Sequence, residues 1–157
     1  MAKKIHHFKG FSLVDGDVKI NVKMDRFSEQ FNRAQFQLDG MIMTSMVPYM
    51  PHNTGTFVNL TRAQSAALQG TGEVVAAAAP MGRFLYMGKN MVDEKTGSPW
   101  ARRGAKKVLV SQYSGHTGAK EDLTYSNPKA VPRWFDKAKE VDGKKWIKRT
   151  KAVAGGG

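Results

Sequence analysis

Met46-Val47-Pro48-Tyr49-Met50-Pro51-His52-Asn53-Thr54-Gly55-Thr56 closes one strongly periodic segment and opens another of different character. Pro48 and Pro51 cannot continue an α-helix, and each pushes the residue before it toward extended backbone. Asn53, Thr54 and Gly55 add side-chain turn chemistry and a permissive glycine. The stretch predicts a fixed elbow with a helix before it and a β-rich region after it.

Upstream, Phe27, Phe31, Ala34, Leu38, Met41, Ile42 and Met46 recur at steps of three and four, which is the spacing of one helix face. Asp25 is suited to cap its start. Gly40 inside the run costs about 1 kcal/mol relative to alanine and marks a slight bend or a close approach by another backbone. Earlier still, Val18, Ile20, Val22 and Met24 alternate with Lys19, Asn21 and Lys23, the pattern of a half-buried strand. Asp15-Gly16-Asp17 is a turn signal. Residues 8–14 are then either a partner strand across that turn or an arm that docks on a neighbouring subunit.

Downstream, residues 56–68 and 73–78 flank Gln69-Gly70-Thr71-Gly72, a composition that predicts an antiparallel pair. Residues 81–88 read as a short helical turn ending at Gly88, with Phe84, Leu85 and Tyr86 as anchors. Residues 89–105 and 111–119 are loop-like and enclose a short strand at 106–113. A last helix starts near Pro132 and carries Trp134, Phe135, Ala138 and Val141 on one side, with Asp142-Gly143 interrupting it. The predicted class is α+β: a long N-terminal helix on a small antiparallel sheet, then a C-terminal helix and long loops. Residues 1–17 form an arm or hairpin strand, 18–151 one domain, and 152–157 a disordered tail. The expected core anchors are Phe27, Phe31, Leu38, Ile42, Phe84, Trp134 and Phe135.

The chain of 157 residues is 41% hydrophobic, enough for one core without cross-links, and it has no cysteine. Disulfides, thiolate metal sites and cysteine nucleophiles are therefore excluded. No apolar run is long enough to cross a membrane as a helix. The formal net charge is +12. Residues 89–157 hold 16 Lys and Arg against 7 Asp and Glu, whereas residues 1–88 hold 9 against 6, so the positive charge is mostly C-terminal. Such a balance favours polyanions, and it also suits a surface that merely keeps the chain soluble.

The chemistry-bearing residues form no catalytic pattern. His6, His7, His52 and His116 lack partners at metal-ligand spacing. Asn53-Thr54-Gly55 has an aspartic-protease outline, but that chemistry needs two carboxylates sharing a proton and Asn53 cannot ionise. The loop from Ser114 to Lys120 departs from the phosphate-binding Gly-x-x-x-x-Gly-Lys spacing. The reading is a non-enzyme without cofactor or metal. Arg102, Arg103, Lys106, Lys107 and the cluster Lys144, Lys145, Lys148 and Arg149 around Trp146 are the residues suited to phosphate, with the aromatic able to stack a base. No sequence-reading module accompanies them, so any such contact is with the nucleic-acid backbone.

Several segments resemble the minor capsid proteins of tailed bacteriophages. The elbow is similar to that family's Pro-Tyr-x-Pro-x-(Asp/Asn)-Thr-Gly stretch, with Phe57 where an aliphatic residue is usual. Residues 80–89 resemble its Pro-Tyr-Ala-Arg-Tyr-Leu-Tyr-Tyr-Gly-Lys segment, with Met81 and Gly82 in place of Tyr-Ala. Leu123-Thr124-Tyr125-Ser126 and Trp134-Phe135-Asp136-Lys137-Ala138-Lys139 resemble its C-terminal signature, and the order of segments agrees from about Lys19 to Trp146. The resemblance implies a structural virion protein that forms a ring in the head-tail connector (neck) or completes the tail. Its partners would be identical subunits, for which six copies suit a tail, together with portal-adaptor or tail-terminator proteins and phage DNA held by its backbone. Its place would be the virion, after assembly in the host cytoplasm. Pro48, Tyr49, Pro51, Thr54, Gly55 and Thr56 would then be scaffold first and interface second. The alternative from a different class is a protein that binds nucleic acid non-specifically and forms no ring.

Overall fold

A computed structural model describes residues 6–52 and 54–155. The first five residues of the expected arm, Asn53 of the elbow and the last two glycines of the expected tail lie outside the described residues. The elements are β1 (Phe11–Asp15), β2 (Val18–Val22), α1 (Asp25–Met46), α2 (Thr56–Leu68), α3 (Gly82–Met87), β3 (Met91–Asp93), β4 (Lys107–Leu109) and α4 (Trp134–Val153), with short 3-10 turns at Val47–Tyr49 and Val110–Gln112. Helices with two small antiparallel sheets make the class α+β. The chain divides into two compact units assembled from separated segments. One comprises Met1–Ser45, Arg62–Val75 and Ala138–Gly157, and the other Met46–Thr61 and Ala76–Lys137.

In the first unit, β1 and β2 pair as a hairpin in the register Phe11↔Val22, Leu13↔Ile20 and Asp15↔Val18. The loop is two residues, and Gly16 has φ +56°, a conformation that a side chain resists. Within residues 8–14, the partner strand is formed by residues 11–14. The strand is not half-buried: Phe11, Leu13, Val18 and Ile20 are all exposed, so the alternation is present but its apolar side is not covered by the described residues of its own unit. Ahead of the hairpin, the backbone of His6 is clasped by Asn32, whose Oδ1 accepts from His6 N–H at 3.1 Å and whose Nδ2 donates to His6 O at 2.8 Å. Phe8 N–H donates to Ser28 Oγ at 2.8 Å, and the Phe8 ring meets Phe31 edge-on.

Helix α1 has 22 residues and buries Ser28, Ala34, Asp39, Met43 and Met46. Its buried stripe is rotated from the expected one: Phe27 is exposed, and Phe31, Leu38 and Ile42 are only half-buried. The rotation has a polar cause. Asp39 accepts from Gly70 N–H at 2.7 Å and Gly72 N–H at 3.1 Å through one oxygen, and from Gln35 Nε2 at 2.7 Å through the other. Gly40 admits the side chain of Gln69, whose Nε2 donates to Phe36 O at 2.9 Å; a Cβ there would stand 2.6 Å from that nitrogen. The close approach is thus by a side chain, not by another backbone.

The expected β-rich region after the elbow is a helix, α2. Its inward positions, Val58, Thr61 and Ser65, follow helical spacing but include two hydroxyls. Those hydroxyls replace the strand partner that residues 73–78 were expected to have. Thr61 Oγ1 donates to Phe57 O at 2.9 Å and accepts from Ala78 N–H at 3.2 Å, while Ser65 Oγ bonds both the N–H and the C=O of Val75. Both backbone groups of Val75 and the N–H of Ala78 are thereby satisfied without a β-ladder.

In the second unit Trp134 is fully buried. Its ring meets Tyr86 and Phe57 edge-on, with centroids 4.9 and 5.9 Å away, and Nε1–H donates to Ala76 O at 2.8 Å. Phe84 and Phe135 are half-buried rather than central. Helix α3 ends as expected at Gly88, which has φ +68° and donates its N–H to Phe84 O and Leu85 O. A Cβ at Gly88 would also stand 2.7 Å from Pro132 Cγ. Gly88→Ala is expected to cost about 2 kcal/mol or more, from the left-handed backbone and the clash together. A lowered urea midpoint at unchanged slope is the check.

Helix α4 runs from Trp134 to Val153 without a break at Gly143, because one interior glycine is a modest cost in a helix that carries two buried tryptophans. The expected strand at 106–113 is shorter, with β4 passing at once into a 3-10 turn.

Candidate functional site

The elbow begins where α1 passes directly into the 3-10 turn Val47–Tyr49, with Pro48 in its first turn and Met50 returning to extended backbone. Proline suits that position because its missing N–H would be unpaired there in any case. Asn127 Nδ2 donates to Pro48 O at 3.2 Å and Met50 O at 3.0 Å, and Val131 N–H donates to Tyr49 O at 3.2 Å. The carbonyls of Pro48, Tyr49 and Met50, left over where the helix ends, are thus bonded from a segment about eighty residues later. On the far side, Thr54 and Thr56 share a hydroxyl contact at 3.1 Å, and Gly55, at φ +77°, offers its carbonyl to Asn59 N–H to start α2. Pro48, Thr54 and Thr56 are exposed, whereas Tyr49, Pro51 and Gly55 are half-buried. The elbow's hydrogen bonds run inward, which makes it a brace.

The basic residues fall into two groups of different standing. Asp93, whose side chain is fully buried, accepts from Arg102 Nε and Nη2, each at 3.1 Å, and from the backbone N–H groups of Lys95, Thr96 and Arg102. Arg102 therefore closes its own loop. Lys106 lies 3.7 Å from Glu94, and Lys107 Nζ donates to Pro99 O at 2.8 Å. Arg103 alone of these four is exposed without a partner among the described residues.

The Arg102 guanidinium, then the Lys95 backbone N–H, hold the Asp93 carboxyl well below the ordinary carboxylate range. A depressed folded-state value means that this contribution is complete above the ordinary carboxylate pKa of about 4 and is lost as pH falls below it. Asp93→Asn is expected to lower stability at neutral pH and to flatten the fall in unfolding midpoint between neutral and strongly acid pH. Parallel acid titrations of the two proteins would check this.

On α4, Lys144, Lys145, Lys148 and Arg149 are exposed. Lys145 lies 3.8 Å from the half-buried Asp142, an i,i+3 pair at the surface and of small energetic weight. Lys144, Lys148 and Lys151 stand at spacings of four and three along one flank of the helix. Trp146 is 5% exposed, and its Nε1–H donates to Ser45 Oγ at 3.1 Å, so it packs and does not stack a base.

Two surfaces are not evident from sequence patterns. The register of the hairpin puts Phe11, Leu13, Val18, Ile20 and Val22 on one side, with the carboxylates of Asp15 and Asp17 at its tip. Their alternation is visible in the sequence, but not their exposure among the described residues. In the second unit, Phe84, Met87, Met91, Val108 and Leu109 line an open groove of about 700 Å³ bordered by Arg83, Lys89, Lys106 and Lys107. Lys89 is held by Glu121 at 3.1 Å and Asp122 at 2.6 Å. No group of three or more His, Cys, Asp or Glu able to hold a metal occurs among the described residues, and no helix among them is long and apolar enough to cross a membrane. No protein-family model, curated protein or solved structure matches the chain.

Proposed function

We propose that this chain is a structural subunit of a tailed-bacteriophage particle, assembled into a ring at the head-tail neck or at the end of the tail, and not an enzyme. The observation that carries the reading is the exposed apolar side of the β1–β2 hairpin. A two-stranded hairpin is marginal in water by itself, and contiguous apolar surface of this kind marks a protein contact. The resembling motifs fit the reading: the elbow and the α3–Gly88 turn are bonded as rigid scaffold, which is what a subunit needs if its geometry is to repeat around an axis. Mass spectrometry and imaging of purified particles test it. Density for the chain as a ring between portal and tail is expected. Its absence from particles would end the reading.

The exposed flank of α4 favours a second role within the same assembly, contact with the DNA backbone. Replacing Lys144 and Lys148 by glutamate is expected to weaken duplex binding equally across sequences and to reduce the dependence of log affinity on log salt by about 1 for each phosphate no longer neutralised. Arg102→Glu would instead open the Asp93 loop. An unchanged salt slope in the α4 variant would remove DNA from the partners and leave the ring reading intact. A purified chain that binds duplex with a steep slope yet is missing from particles would favour the nucleic-acid-binding alternative.

A further inference from the structure

We propose that the apolar side of the β1–β2 hairpin of one copy seats in the Phe84–Leu109 groove of a second copy, so that the chain associates head to tail. This rests on the ring reading above only in requiring self-association, and it names the two surfaces that meet.

The two surfaces are chemically matched. The hairpin offers Phe11, Leu13, Val18 and Ile20, all exposed, in a ladder that ends in Asp15 and Asp17. The groove offers Phe84, Met87, Met91, Val108 and Leu109, none fully buried, with cations at its border. Arg83 has no carboxylate partner among the described residues, the Lys107 ammonium reaches only a backbone carbonyl, and the Lys106 contact with Glu94 is long and exposed. These three are therefore available to carboxylates from outside, whereas Lys89 is occupied. Apolar side to apolar floor, and acidic tip to basic rim, gives one orientation out of many. Methionines at two floor positions let the groove repack around an entering side chain.

The surfaces differ from one another and belong to the same chain. A contact between unlike patches is heterologous, so each copy keeps a free hairpin or a free groove until the rotation closes a ring. The apolar side of a hairpin packed on another hairpin would instead give a two-fold dimer in which neither acidic tip meets a basic rim.

The absence of native cysteine permits a clean test. One full-length chain carries Leu13→Cys and another carries Met87→Cys; both sites are exposed, so neither change disturbs a core. Treated with a short bismaleimide as an equimolar mixture at rising concentration, the two are expected to give a covalent Leu13→Cys/Met87→Cys heterodimer, while neither alone gives a comparable product. Adding Asp15→Lys and Asp17→Lys to the first chain is expected to abolish the product, and adding Arg83→Glu and Lys107→Glu to the second is expected to bring it back. Cross-linking of Leu13→Cys to itself overturns the proposal in favour of a two-fold hairpin contact. A cross-link within a single chain carrying both cysteines, or no heterodimer at any concentration, also overturns it. Rings seen in particles without this cross-link would sink the contact alone, and the cross-link without particle association would sink the viral reading alone.

Discussion

Trp134→Ala is expected to lower the stability of the protein by about 3–5 kcal/mol, the range for removing a large buried aromatic side chain. The site has every reason to be at the upper end. Trp134 is fully buried, two aromatic rings pack edge-on against it, and its indole N–H is bonded to Ala76 O. Truncation would leave a cavity, forfeit the packing against Tyr86 and Phe57, and orphan a carbonyl. Trp134→Phe separates these contributions. It keeps an aromatic ring against Tyr86 but loses the donor and part of the volume, so a loss of about 1–3 kcal/mol is expected. Urea unfolding followed by circular dichroism provides both values. Equal losses for Ala and Phe would mean that the hydrogen bond, not the packing, dominates.

Asp39→Ala is expected to cost about 3 kcal/mol, because it strands two amide N–H groups that now share a charged acceptor. Asp39 is 3% exposed, and its carboxylate is the reason the loop after α2 turns back onto α1. Asparagine is a gentler change. Its carbonyl oxygen can still accept from Gly70 and Gly72, and Gln35 can turn its own amide to offer an oxygen to the new NH₂. A loss nearer to about 1 kcal/mol is expected for Asp39→Asn. Amide hydrogen exchange localises the effect: Gly70 and Gly72 should lose protection in the alanine variant while residues of α4 exchange as before. Uniform loss of protection across the chain would show instead that the carboxylate supports the whole fold.

Much of this architecture is legible where the polypeptide declares its own periodicity. The alternation at Val18–Val22, the three-and-four spacing along α1, the glycine that ends α3 and the proline two residues before α4 all report on backbone preferences that tertiary contacts did not override. Sequence patterns mislead where side chains take over a strand's role. Thr56, Val58 and Thr61 are β-branched and discourage helix in isolation, yet α2 is helical because Thr61 and Ser65 turn their hydroxyls inward to the backbone of 75–78. Hydrophobic spacing cannot register a buried hydroxyl. For the same reason Asp39 rotated the buried stripe of α1 away from Phe27. Among the basic residues, sequence distinguishes none of those already engaged from those available, since the Asp93 partner of Arg102 lies nine residues away and is drawn in only by the loop's closure.

The hairpin has one more consequence, for the free chain in solution. Its backbone edges are open, and an open strand edge is a template on which further chains can stack into fibres. Lys19, opposite Val14 on the reverse side, is the sole cation inside either strand, and such a residue acts as a gatekeeper against indefinite sideways growth. That one ammonium group guards the strand edge locally, beside the general repulsion that a net charge of +12 gives between copies.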